Sequence, residues 1–402
     1  MTLEHTLAAP RPRVLPATLL LLGMAACASA QQRAGGGAAM TVSPVSSVRA
    51  AVADSVAGVL QRGLADSAYP GAYAIVGDSD AILASRGVGH LDWAPSPTPD
   101  ENTLWDLASL TKVIGTTTAV MQLWDRGLIK LDERVQHYLP EFTGPHKELV
   151  TVRDLLTHSS GLPAWRPLYK EATSPAAAIA LVYTTPLDTL PGVRMVYSDL
   201  GAILLGKLVE RVSGQPLDQY LAAHVFGPLG MTSTRFRPPA SWLSRIAPTE
   251  RDPWRGRLIR GEVHDENAYA LGGVSGHAGL FSSAHDLARF AQMYLHRGEL
   301  GGVRIVSAAA VDTFTRVQNM AFSNRALGWE VPNGTNSAGH LLSNRAFGHT
   351  GFTGTSIWID PQQDLFIILL TNRVDPTRDN PREGPVRVHL ADAVARALAG
   401  GR

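Results

Sequence analysis

Of the five lysines in the 402 residues (Lys112, Lys130, Lys147, Lys170 and Lys207), only Lys112 has a serine three positions before it. That serine is Ser109, in the stretch LWDLASLTKVIGTTTAVMQLWDRG. A serine hydroxyl is a poor nucleophile until a base takes its proton. A lysine amine becomes such a base when burial or nearby positive charge lowers its pKa. Most Ser-x-x-Lys spacings are only a surface serine and a solvated lysine. Lys112, however, lies in an apolar run, where an unpaired ammonium is costly. Two other segments hold groups that suit the same chemistry. Tyr197-Ser198-Asp199 offers a phenol that can carry a proton, although Asp199 also reads as a plain helix N-cap. His349-Thr350-Gly351 offers an imidazole, a hydroxyl and a glycine that lets a ligand approach the backbone; taken singly, such a histidine is more often structural.

These groups need rigid elements to hold them. Leu107, Leu110, Val113, Ile114, Val120, Met121, Leu123 and Trp124 recur at helical spacing, which predicts a buried helix of about five turns ending near Gly127. Ser109 falls in its first turn, where free N–H groups favour a developing oxyanion, and Lys112 follows one turn later on the same face. Helical spacing also covers 46–66, 152–156, 176–183, 200–212, 216–226, 284–295 and 386–398. Strand-like runs occupy 72–76 and 81–88, joined by a Gly-Asp-Ser-Asp turn, and then 326–331, 355–359 and 365–370. Strands thus lie at both ends of the chain and helices in the middle. The expected fold is α+β: one antiparallel sheet drawn from both ends, flanked by helices, with an inserted helical lobe. The sheet lobe takes 46–129 and 291–402, the helical lobe 130–290, and the Ser109 helix runs between them, where pockets form.

A net charge of +1 and 45% hydrophobic residues suit a globular protein and give no support for nucleic-acid binding. Cys27 is the only cysteine, so no disulfide can form within the chain. Residues 1–27 read as an export signal, with Arg11 and Arg13 ahead of VLPATLLLLGMAAC. Met24-Ala25-Ala26-Cys27 is similar to a bacterial lipobox. That resemblance implies cleavage before Cys27, lipidation there, and a protein anchored to the membrane facing the periplasm or exterior. The competing reading is an ordinary signal cut near Ala30. Residues 28–45, rich in Gly, Ala, Gln and Ser, read as a flexible tether.

In this order and at these separations, Ser-x-x-Lys, Tyr-x-Asp and His-Thr-Gly resemble the three motifs of the penicillin-recognising serine hydrolases: class C β-lactamases, D-alanyl-D-alanine carboxypeptidases and related esterases. The resemblance spans roughly 50–400 and includes LLTHSSGLP (155–163) and GGVSGHAGLFSSAHDLARF (272–290). The run VHDENAYALGGVSGHAGLF is most similar to the penicillin-binding protein 4B type. It implies Ser109 as the acylated nucleophile, Lys112 sharing its proton, and Tyr197 completing transfer to the leaving group. The N–H groups of Ser109 and Phe352 would form an oxyanion hole. Asp199, His349, Thr350, Gly351 and Phe352 would line the substrate site, with His349 and Thr350 facing a substrate carboxylate.

Two positions depart from the β-lactamase pattern. Asp199 stands where that pattern has asparagine; ionised, it only accepts hydrogen bonds and favours a charged Lys112, a worse base. His349 stands where most β-lactamases have lysine, and the chain has no Lys-Thr-Gly. Both shift the reading toward a peptidase or esterase: the expected activity is a D-alanyl-D-alanine carboxypeptidase on cell-wall peptides, with an esterase or class C-like β-lactamase as the nearest alternative and a penicillin-binding sensor with little turnover as the reading from another class. No cofactor is expected, and a monomer is. His264, Asp265 and His277 are too loosely spaced for a zinc motif, so no metal is expected either; His264, Asn267 and His277 read instead as organisers of a loop over the pocket.

Overall fold

The computed structural model describes residues 44–318, 322–323 and 325–400. The expected signal, Cys27 and the tether up to residue 43 lie outside the described residues; Pro44 and Val45, expected in the tether, begin a helix instead. Among those described, no helix is long and apolar enough to cross a membrane.

Five strands form the main antiparallel sheet: β1 (Gly71–Gly77), β2 (Ile82–Gly89), β3 (Phe347–Thr350), β4 (Ser356–Asp360) and β5 (Leu365–Thr371). Their order is β3-β4-β5-β1-β2, so the two ends of the chain meet at the centre, where Ala72 pairs with Thr371 and Gly77 with Phe366. The side-chain period of two gives each strand two apolar faces. Ala72, Ala74 and Val76 of β1, with Ile367 and Leu369 of β5, share a core with Val52, Val56 and Leu390. These last come from α1 (Pro44–Ala65) and α5 (Glu383–Ala399), which pack together on that side. Tyr73 and Ile75, with Phe366, Ile368 and Leu370, point the other way into the larger core.

That larger core receives the helix that follows Ser109. It runs in π form over Lys112–Thr117 and continues as α2 (Thr118–Asp125). Gly127, at φ 73°, ends it in the left-handed conformation that glycine adopts without strain. Ser109 therefore sits in the turn just ahead of the helix rather than within its first turn, and the π segment had no signature in the periodicity. The other principal helices are α3 (Asp199–Ser213) and α4 (Ala284–Leu295).

Three expectations change. The strand predicted at 326–331 is a loop in which only Glu330 pairs, with Gly348, as an isolated bridge. The lobe boundary at 290 falls inside α4, which packs on β5 and β1. Asp199 is the first residue of α3 and not its cap; Ser198 is the cap, accepting from the Gly201 amide at 3.3 Å.

Candidate active site

The nucleophile turn is built before the helix begins. Asp106 is buried, and its carboxylate accepts from the Ala108 amide at 2.8 Å and the His264 amide at 2.6 Å. Ala108 is thereby held at φ 45°, a strained conformation for a residue with a Cβ, immediately before Ser109. The turn after β3 is bolted to the same place. Thr353 Oγ1 donates to Asp106 O at 2.7 Å, and Thr355 Oγ1 donates to Leu107 O at 3.1 Å. Just ahead of them lies Gly351, where an added Cβ would come within 2.4 Å of Leu107 O and 2.1 Å of Thr355 Oγ1. Only glycine permits this approach. Phe352 follows it and lines the same cavity as Ser109. Among the described residues neither the Ser109 nor the Phe352 amide has a protein acceptor, which leaves both free for an oxyanion.

Lys112 Nζ donates to Ser109 Oγ at 2.9 Å and to His277 O at 3.0 Å, and it ion-pairs with Asp199 Oδ1 at 2.7 Å. Its side chain is 4% exposed. Burial alone pushes the amine toward neutrality, but the Asp199 carboxylate and, after it, Tyr197 together reverse this, and the net shift is upward. Lys112 is thus an ammonium at neutral pH: a proton donor and charge anchor at Ser109 Oγ, not a free base. The ring of Tyr197 lies 5.0 Å from Lys112 Nζ, and among the described residues its buried hydroxyl has no hydrogen-bond partner.

The structure brings Ser109, Lys112, Tyr197, Asp199 and Phe352 together, four of them on the wall of one cavity of about 330 Å³. His349 is placed otherwise than expected. It lies on β3, 1% exposed and behind Tyr197, with ring centroids 5.8 Å apart. Its Nδ1 donates to Thr350 O at 2.8 Å. Burial, reinforced by Arg325 and Lys112, holds it well below the usual histidine range, so it stays neutral. A neutral, buried imidazole does not face a substrate carboxylate as a charge partner. Thr350 is partly exposed at the end of β3 and Gly351 is buried.

Other neighbours shape the site. His158, in LLTHSSGLP, packs on Tyr197 at 4.6 Å, and its Nδ1 accepts from the Ser198 amide at 3.1 Å, which fixes the start of α3. Asp265 lines the cavity and accepts from His277 Nε2 at 2.8 Å, while His277 Nδ1 meets Ser275 Oγ at 2.8 Å. Burial works against the Asp265 carboxylate, but His277 holds it below the usual range. Ligand atoms of Asp199, Asp265 and His277 all lie within 4.8 Å of one another, a spacing that a cation could bridge; Lys112 Nζ already stands against this group. His264 pairs with Glu250 at 2.8 Å and stacks on Phe352 at 5.7 Å, and Asn267 ties the Tyr169 amide and Arg166 O. The loop-organising reading of His264, Asn267 and His277 matches these contacts. The signal that could have found Asp265 and His158 was their place in segments already noted; Arg325 had none.

A family model described as Beta-lactamase matches residues 56–392. The chain is 37% identical over 314 residues to an Escherichia coli K12 protein described as "Putative D-alanyl-D-alanine carboxypeptidase", covering 70% of this chain and 72% of that one. It is 34% identical over 358 residues to one of the same description from Escherichia coli O157:H7, covering 80% and 82%. Two of the solved structures that share the fold illustrate the likeness. The hydrolase EstCE1, described as having promiscuous acyltransferase activity, has a TM-score of 0.71 at 22% identity, covering 86% of this chain and 99% of its own. A penicillin-binding protein homologue from Caulobacter crescentus has a TM-score of 0.72 at 20% identity, covering 86% and 98%.

Proposed function

The chain belongs to the beta-lactamase family and is a serine hydrolase, and we propose that it works through an acyl-enzyme on Ser109, cutting the D-alanyl-D-alanine end of cell-wall peptides as a carboxypeptidase. The observation that carries the mechanism is the Lys112 ammonium bridging Ser109 Oγ and Asp199. Ser109 Oγ bonds the substrate carbonyl carbon, and the oxyanion forms against the Ser109 and Phe352 amides. The Ser109 proton passes to the Tyr197 oxygen, which gives its own to the leaving group; Lys112 stays charged throughout. Water then repeats the transfer to release the acyl group. The descriptions of the relatives support the peptide substrate.

One observation favours a second reading, an esterase. Each cation at the cavity already has a carboxylate: Lys112 has Asp199, and Arg378 has Glu250 and Glu266 at 2.6 and 2.7 Å. With His349 neutral, a substrate with an uncharged end meets no unmet demand. Rates on a D-alanyl-D-alanine peptide, a p-nitrophenyl ester and a penicillin decide between them. The proposal expects free D-alanine at the highest kcat/KM; faster ester cleavage without D-alanine release replaces it with the second reading, and a stable penicillin adduct without turnover points to a sensor.

Export and a lipid at Cys27 belong to the same proposal, on the strength of the lipobox-like Met24–Cys27. Mass measurement of detergent-extracted protein from the native host should find diacylglycerol on Cys27; an unlipidated N-terminus at or after Gln31 rejects the anchor.

A further inference from the structure

We infer that Arg325 is a positioning residue for the reaction, acting through Tyr197: its guanidinium supplies the second positive charge that holds the tyrosine oxygen in its negatively charged form as the proton passes. The inference rests on the acyl-enzyme reading. Arg325 comes from the loop ahead of β3, remote in sequence from every motif. It is 6% exposed, and its Cζ lies 5.6 Å from the centre of the Tyr197 ring. Lys112 Nζ lies 5.0 Å from the same centre. The two remaining polar rings against the phenol, His158 and His349, are buried, and burial followed by the Arg325 charge keeps both neutral. Two cations and two uncharged imidazoles therefore surround one ring.

Local structure accounts for only part of this arginine. Nη2 donates to Gly328 O at 3.2 Å, and Nη1 lies 3.4 Å from Glu330 Oε1, a loose pair with a carboxylate 21% exposed. Nε is buried and has no acceptor among the described residues. A guanidinium buried for one carbonyl and one loose ion pair costs more than it returns. Charge placed toward a group that turns negative in the transition state does return something, because a buried guanidinium is little screened and is already in place. Position 349, lysine in most β-lactamases, gives no charge here, and Arg325 occupies the neighbouring space from a different segment.

The movement of charge balances. When Ser109 Oγ bonds the carbonyl carbon, its proton goes to the Tyr197 oxygen while the Tyr197 proton goes to the departing nitrogen or oxygen. The Tyr197 proton leads that of Ser109, so between the two transfers the tyrosine oxygen carries negative charge, and both cations act at that moment. Arg325 should thus affect kcat and leave KM alone.

Turnover of a short alkyl ester, whose departing oxygen must take a proton, tests this with Arg325→Met, which keeps length without charge, and Arg325→Lys, which keeps charge. Arg325→Met should lower kcat about tenfold or more with KM unchanged, and Arg325→Lys should recover most of the loss. An unchanged kcat in Arg325→Met, or equal losses in the two variants, overturns the inference. Should Arg325→Met fail to fold, Glu330→Gln decides. It keeps an acceptor beside the guanidinium and removes the counter-charge, so kcat should rise; an unchanged or lowered kcat overturns the inference. A fluorophosphonate adduct on wild-type Ser109 is measured in parallel. Its absence would reject the acyl-enzyme reading itself, whereas its presence with an unaltered Arg325→Met rejects only the role of Arg325.

Discussion

Ser109→Ala should leave a folded protein that no longer forms an adduct with a fluorophosphonate or a fluorescent penicillin, and whose hydrolytic rate falls on the order of 10⁴-fold or more. The size follows from the chemistry, since the alanine has no oxygen to acylate and no neighbour can replace it. The fold should survive because the turn is held by other bonds. Asp106 fixes Ala108 and His264, and Thr353 and Thr355 fix the backbone of 106 and 107, all without the serine hydroxyl. The thermal midpoint should move little. Adduct formation that persists in Ser109→Ala would remove this residue from its assigned part.

Lys112→Met should combine a chemical loss with a structural one. The ammonium touches Ser109 Oγ, Asp199 Oδ1 and His277 O, so the change removes three interactions at once. Activity should fall by about 10³-fold, in the range for a group that steers proton transfer. Asp199 is left without its counter-charge close to Asp265. Removing one member of a buried pair is costly because the other charge stays behind. Asp199 is 18% exposed and partly wetted, so the low end applies, about 3 kcal/mol. Lys112→Met,Asp199→Asn should regain much of the stability and none of the activity. If the double variant is no more stable than Lys112→Met, the ion pair is not what the lysine contributes to the fold.

Local pattern made much of this molecule legible. Helices at 152–156 and 284–295 lie where the spacing places them, and the sheet from both chain ends follows from where the β-branched runs fall. The three motifs gave the residues that meet at the cavity because each is a short, local signature. What stayed hidden depends on contacts between distant segments. Whether His349 faces solvent or core is decided by the Tyr197 ring packed beside it, and no spacing encodes that. The charge state of Lys112 is set by Asp199, 87 positions later; the possibility was readable, but which effect wins required the 2.7 Å distance and the burial together. The π turn at 112–117 keeps the apolar face of an ordinary helix and leaves no trace in its periodicity.

The pairing of β1 with β5 bears on how the chain acquires its activity. Ala72 finds its partner at Thr371, so nearly the whole polypeptide must emerge before the central ladder can zip. Contacts of such separation are slow to form, because the loop closes before the ladder rewards it. The nucleophile turn is bolted to residues 353 and 355, which arrive just ahead of that last strand. The catalytic turn and the central ladder therefore both depend on the last stretch of the chain to be made.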